Sequence, residues 1–333
     1  MQRLNKQDNY PVYYDGLAAH IILQSAICSK DLNDGTEKDF IQCHICSIMS
    51  NACKVLRNRF YLLHNLKKDE ISNKKSASMN MLGYVLGQVC TLNCKHCCEK
   101  TPYFPVSNKT QVPAGEVIKD IHQVVNACEF LTILEFVGGE PFLHKELFLI
   151  LKDALNLNNV GFINVFTNGT VKPSDKLCEV LNDRRITVYI SNYSKTLSVE
   201  HAEKVNATEE MLIKYNVHYL YGTAKSWQEF LSFDFVDYEE QELRKRFINC
   251  FLHSCNRLHR GILYHCPHQY AGAVLNKIPD DCDTVKIYEN NLSSLVEKLD
   301  KFRKADCINA CKYCALPFDA PMVTAGIQLD KVN

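Results

Sequence analysis

Cys90-Thr91-Leu92-Asn93-Cys94-Lys95-His96-Cys97 sets three thiols at C-x3-C-x2-C spacing directly behind an apolar run, and the reading of this octapeptide decides the fold. Residues 82–89 read as a β-strand entering it, which places the three cysteines in a loop at a strand's carboxyl end. Thiolates bind iron–sulfur clusters, and a [4Fe–4S] cube normally takes four of them. Three ligands leave one iron open to a small molecule. A zinc site is the competing reading, although zinc usually draws on paired C-x2-C units with four protein ligands. Cys98 follows the third thiol and reads as a packing cysteine.

Downstream of the octapeptide, short β-type runs alternate with longer helical ones. Apolar residues at helical spacing (Val117, Ile118, Ile121, Val124, Val125) predict a helix over 115–130. Further helices are expected over 144–157, 174–183 and 199–215, with strands over 131–137, 161–166, 186–190 and 217–221. Such alternation predicts parallel βα units, where ligand-contacting residues sit on loops at the carboxyl ends of strands. The cysteine loop, Gly138-Gly139-Glu140, Thr167-Asn168-Gly169 and Ser191-Asn192 all fall on that one rim.

The 333 residues are 46% hydrophobic, enough for one large domain or a large and a small one. Lys plus Arg equals Asp plus Glu, 38 each. That balance argues against a broad electrostatic nucleic-acid binder and against a polybasic membrane anchor. The longest early apolar stretch, residues 16–28, contains His20 and Gln24, is too short to span a bilayer and lacks a cleavage signal behind it. Seventeen cysteines, an odd number beside an ordinary core, fit a disulfide scaffold poorly. We therefore read a reducing, cytoplasmic protein whose cysteines are ligands first. Residues 67–80 read as a polar linker. In the N-terminal extension, Cys43, Cys46 and Cys53 lack a second C-x2-C pair, and residues 13–20 lack a full dinucleotide glycine fingerprint.

The octapeptide resembles the signature of the radical S-adenosylmethionine (SAM) superfamily, with His96 at its usual aromatic position, and Gly138-Gly139-Glu140 resembles that family's GGE segment. The resemblance covers about residues 81–222. It implies an α/β fold, a partial (βα)6 barrel, with SAM chelating the open iron of a [4Fe–4S] cluster. In the family the reduced cluster releases a 5′-deoxyadenosyl radical that takes hydrogen from substrate. By the same resemblance, Gly138 and Gly139 let backbone carbonyls approach the ligand, and Glu140 offers a carboxylate to its ammonium group. Ser191, with Asn192 beside it, matches a position that contacts the SAM carboxylate or ribose.

A second resemblance follows in the last third. Cys250 is followed after ten residues by Gly261, and Gly261 after four by Cys266; Cys311 and Cys314 then form a C-x2-C pair. This is similar to the auxiliary-cluster domains called SPASM and twitch, the shorter twitch form fitting better. It implies a small cysteine-rich C-terminal domain whose auxiliary [4Fe–4S] cluster takes Cys250, Cys266, Cys311 and Cys314, with Cys255 and Cys307 as substitutes and zinc as the alternative metal. The expected division is an extension over 1–80, a core over 81–235 and the auxiliary domain over 236–333. The family implies an oxidoreductase acting by dehydrogenation or epimerisation on a sugar or polyol-like small molecule, fed by an external electron donor such as flavodoxin or ferredoxin. A peptide maturase is the alternative enzyme, and an iron–sulfur electron carrier or zinc module the non-enzymatic one.

Overall fold

The computed structural model describes residues 77–193, 196–222, 226–279, 282–289 and 291–329; Cys28, Cys43, Cys46 and Cys53 lie outside the described residues. Five strands, β1 (Ala77–Val85), β2 (Cys128–Val137), β3 (Val160–Thr167), β4 (Ile186–Ser191) and β5 (Tyr219–Gly222), pair parallel in sequence order. Between them run α1 (Ala114–Asn126), α2 (Leu147–Ala154), α3 (Asp175–Leu181) and α4 (Val199–Lys214). Alternation along the strands explains the layering. Leu82 and Tyr84, Leu134 and Phe136, Ile163 and Val165, and Ile186, Val188 and Ile190 pack in one core with Val117, Ile121 and Val124 of α1 and Leu147 and Leu151 of α2. Each fully buried aliphatic side chain here contributes about 1.5–3 kcal/mol relative to exposure.

The other sheet face carries a different set. Gly83, Glu135, Asn164 and Thr187 lie in register across β1 to β4, with Val85 and Val137, then Phe166 and Tyr189, one layer nearer the carboxyl ends. The rings of Phe166 and Tyr189 stack 4.8 Å apart. The rim residues follow in the next layer.

Three sequence expectations are corrected. The linker gives way to strand at Ala77, because pairing of Ala77 with Cys128 and Met79 with Leu131 overrides the weak strand propensity of this stretch. The same strand stops at Val85 rather than 89. Gly87 there adopts φ +141°, and a Cβ on it would lie 2.1 Å from the Thr110 carbonyl, so the chain leaves the ladder to pair with residues 110–112. Finally, no strand pairs with β5 on its outer side among the described residues, where the sixth strand of a (βα)6 barrel is expected. The next strand, β6 (Ser226–Gln228), pairs antiparallel with β10 (Met322–Thr324) as a separate ribbon.

The last third is not set apart from this sheet. After α5 (Glu240–Asn249), a hairpin of β7 (Arg257–His259) and β8 (Ile262–Tyr264) turns at Gly261, φ +74°. β7 pairs parallel with β1, and β9 (Val285–Lys286) adds to β8, giving the order β5-β4-β3-β2-β1-β7-β8-β9. α6 (Pro267–Val274) follows the hairpin, and α7 (Leu292–Arg303) seals Leu295, Leu299 and Phe302 into the main core. The expected boundary at 235/236 therefore does not interrupt the sheet.

Candidate active site

The octapeptide winds tightly beyond β1. Cys97 N–H donates to the Cys94 carbonyl at 3.2 Å, and Lys100 N–H to that of Cys97 at 3.0 Å. N–H groups meet the sulfurs: Leu92 N–H lies 3.4 Å from Cys90 Sγ, and the Gln328 side-chain amide lies 3.2 Å from Cys94 Sγ. Asn168 Nδ2 approaches Cys90 Sγ at 3.6 Å and donates to Thr91 Oγ1 at 3.0 Å, tying the β3 loop to the cysteine loop. Burial pushes the Cys90 thiol up to about 12 and that of Cys94 to about 11, and pushes Cys97 up against the opposing N–H of Thr101. Cys94 is buried and Cys90 and Cys97 are half-buried, and thiols so placed and met by N–H donors suit thiolates bound to a cationic centre. Among the described residues no three His, Cys, Asp or Glu side chains close around a single ion. An iron–sulfur cube spreads its thiolates more widely than one ion does.

The GGE segment serves a structural need beyond the one its resemblance implies. Gly139 N–H donates to the Gly87 carbonyl at 2.9 Å and Glu140 N–H to that of Val89 at 2.8 Å, zipping the end of β2 onto the segment that leads into the cysteines. A Cβ at Gly139 would lie 2.1 Å from the Val89 carbonyl, and one at Gly138 (φ +133°) 2.6 Å from that of Gly87. Backbone thus approaches backbone here.

The Glu140 carboxylate is likewise engaged within the protein. Oε1 accepts from Phe142 N–H (3.0 Å) and Thr167 Oγ1 (2.6 Å), and Oε2 from Asn168 N–H (2.8 Å). With 3% exposure, Glu140 braces the β3 loop that carries Asn168. Burial pushes its carboxyl up from 4.5 to about 7, with these three donors pulling the other way. A carboxyl raised in the fold stabilises below its ordinary range, and that stability is lost as pH rises through about 7. Glu140→Gln puts an amide N–H2 or a lost acceptor against one of these donors, costing about 1–3 kcal/mol. In unfolding measurements the wild type's advantage is expected to be largest near pH 4.5 and to narrow through about pH 7. An advantage constant with pH would return Glu140 to an ordinary carboxylate.

Ser191 and Asn192 end β4 on the same rim, with Ser191 paired to Gly222 and Asn192 N–H donating to the Gly222 carbonyl at 3.0 Å. Ser191 shares the sheet face of Thr187 and Tyr189. His96 is buried with Nδ1 3.7 Å from Glu229.

A second cysteine group gathers below. Cys250, Cys266, Cys311 and Cys314 line one small recess with Arg246, His268 and an apolar remainder. Three sit at element ends: Cys250 closes α5, Cys266 caps α6 and accepts from Gln269 N–H at 3.4 Å, and Cys314 ends the 3-10 turn Asn309–Tyr313 that holds Cys311 and accepts from Leu316 N–H at 3.4 Å. Burial pushes Cys250 up to about 11 and Cys314 to about 12, and raises Cys266 and Cys311 as well. Cys255 packs in the same apolar cluster without lining the recess, and Cys307 packs beside Cys282 and Cys311.

The two groups adjoin. Cys98, read as a packing cysteine, packs on the apolar cluster of Phe230, Leu252, Leu316 and Ala320, as do Cys250, Cys255, Cys266 and Cys314. Lys100 is 1% exposed, donates to the Phe230 carbonyl at 2.9 Å and lies 4.2 Å from the Phe230 ring centroid. Burial pushes its ammonium down while the thiols of Cys98, Cys314, Cys97 and Cys266 favour the charge. Neither Lys100 nor Gln328 carries a sequence signal that marks it.

Together these features define a mostly parallel α/β protein with a three-thiol rim site and a four-thiol recess. No family model and no curated protein matches the chain. Among solved structures it is similar to BtrN in complex with AdoMet and 2-DOIA (15% identity, TM-score 0.40, 72% of this chain and 94% of that one). It is also similar to anSMEcpe with bound AdoMet and Cp18Cys peptide (20%, TM-score 0.34, 43% and 42%) and to Streptococcus suis SuiB bound to S-adenosylmethionine (14%, TM-score 0.34, 61% and 48%). The chain spans less than half the length of the last two. No helix among the described residues is long and apolar enough to cross a membrane.

Proposed function

We propose that this protein is a radical SAM enzyme whose [4Fe–4S] cluster is held by Cys90, Cys94 and Cys97, with an auxiliary cluster held by Cys250, Cys266, Cys311 and Cys314. The observation that carries this is the cysteine loop itself: three thiols on one strand-end loop, with N–H groups meeting their sulfurs and the β2 and β3 loops bound against it. When bound, a reduced cluster with SAM supplies a 5′-deoxyadenosyl radical for hydrogen abstraction. This chain's residues do the rest. Gly138 and Gly139 fix the rim at close backbone range, Glu140 holds Thr167 and Asn168 in place, and Ser191 and Asn192 extend the rim where SAM would lie. Lys100 offers a positive charge to the thiolates of both groups.

A four-thiol recess beside the rim suits an electron acceptor, which favours two-electron oxidation of a small hydroxylated substrate over a redox-neutral step. The test is direct. Anaerobically reconstituted protein, reduced with dithionite, should convert SAM to 5′-deoxyadenosine; a fully iron-loaded chain that left SAM intact would refute the reading.

A further inference from the structure

The ribbon that stands in place of a sixth barrel strand delivers the chain's last described residues to the cysteine loop. Beyond β10, Gly326 turns at φ +77° against Tyr193 and Thr196, where a Cβ would lie 2.8 Å and 2.7 Å from its neighbours. The tail then pairs with the loop: Lys95 N–H donates to the Ile327 carbonyl at 2.7 Å, and Leu329 N–H to that of Asn93 at 2.8 Å. Between these bonds sits Gln328. Its Oε1 accepts from Asn93 N–H at 2.6 Å, which fixes which end of the amide is oxygen. Nε2 is therefore the end that faces Cys94, donating to Sγ at 3.2 Å and to the Gly326 carbonyl at 2.8 Å.

We infer that Gln328 is a positioning residue whose side-chain N–H···S bond to Cys94 raises the reduction potential of the cluster on the three-cysteine loop. The inference rests on the cluster reading of that loop. Its physical basis is general. Reduction adds one electron, and the sulfurs of the reduced cluster carry more negative charge. A donor aimed at sulfur therefore stabilises the reduced state more than the oxidised one. A backbone clasp alone would hold the loop without that bias. The amide adds it.

The test follows, by redox titration under electron paramagnetic resonance, the signal that disappears when Cys90, Cys94 and Cys97 are replaced. Gln328→Leu removes all three side-chain bonds. At the potential where the wild type is half reduced, the variant is expected to show about a tenfold lower ratio of reduced to oxidised cluster, about 59 mV for one electron. An unchanged midpoint with full iron content overturns the inference. Gln328→Glu keeps an acceptor for Asn93 N–H but sets a carboxylate oxygen against the sulfur, so its midpoint should fall at least as far; a wild-type midpoint there overturns it too. If Leu alone fails to load, the Glu midpoint decides. Loss of this cluster in both, with the second centre's iron retained, supports a required N–H donor, whereas loss of both centres makes Gln328 a folding residue and overturns the inference. A wild-type chain with no signal dependent on the three cysteines would refute the cluster reading itself, a separate outcome.

Discussion

Alanine at Cys90, Cys94 and Cys97 together is expected to strip about four irons per chain and to bring 5′-deoxyadenosine release to background. The triple change is preferred because Cys98 lies next to Cys97 and offers a substitute thiol to any single variant. The loop is held by backbone bonds, Cys97 N–H to the Cys94 carbonyl and Leu329 N–H to that of Asn93, which alanine leaves intact. Loss of iron would then be a loss of ligands and not of fold, which far-UV circular dichroism checks. A triple variant that still cleaved SAM would sink the proposed function.

The same triple variant is expected to keep a second iron–sulfur signal, about half of the reconstituted iron, in Mössbauer spectra. Adding Cys311→Ala and Cys314→Ala should remove it. The four thiols that line the recess come from three separate segments, the end of α5, the start of α6 and residues 311–314. Convergence of three segments on one recess is what the proposed metal centre requires. Zinc in protein purified without reconstitution, with no iron signal in the triple variant, would remove the electron-acceptor role. Solubility is expected to fall in the five-fold variant because thiolate ligation is coupled to folding; the spectrum of the triple variant carries the decision.

The βα alternation was legible because strands and helices differ in the period of their apolar residues. Helices expected over 115–130 and 199–215 appear as Ala114–Asn126 and Val199–Lys214. The C-terminal hairpin was legible from Gly261 alone among its turn residues, since positive φ there demands it. What the sequence concealed is long-range. Asn168 sits in an Asn-Gly pair that signals a plain turn equally well, and only the fold brings it to Cys90. Gln328 lies 234 positions from Cys94. Lys100 reads as a surface charge, and its burial follows from Phe230 and the second cysteine group closing over it. The donors to the Glu140 carboxylate were equally hidden, because Thr167 and Asn168 belong to a segment that local pattern cannot place beside it.

The pairing of β7 with β1 bears on how such a protein can change over evolution. Gly83 N–H donates to the Asn256 carbonyl at 3.0 Å, and Arg257 reaches back from β7 to Glu99 at 2.8 Å, just beyond the cysteine loop. The cysteine-rich third is therefore no interchangeable cartridge. A lineage that discarded it would bare a long central strand, and bare edges recruit other chains. The hairpin must be inherited with the strand it covers, so gain or loss of the second thiol group should proceed by erosion of single cysteines and not by excision of the segment.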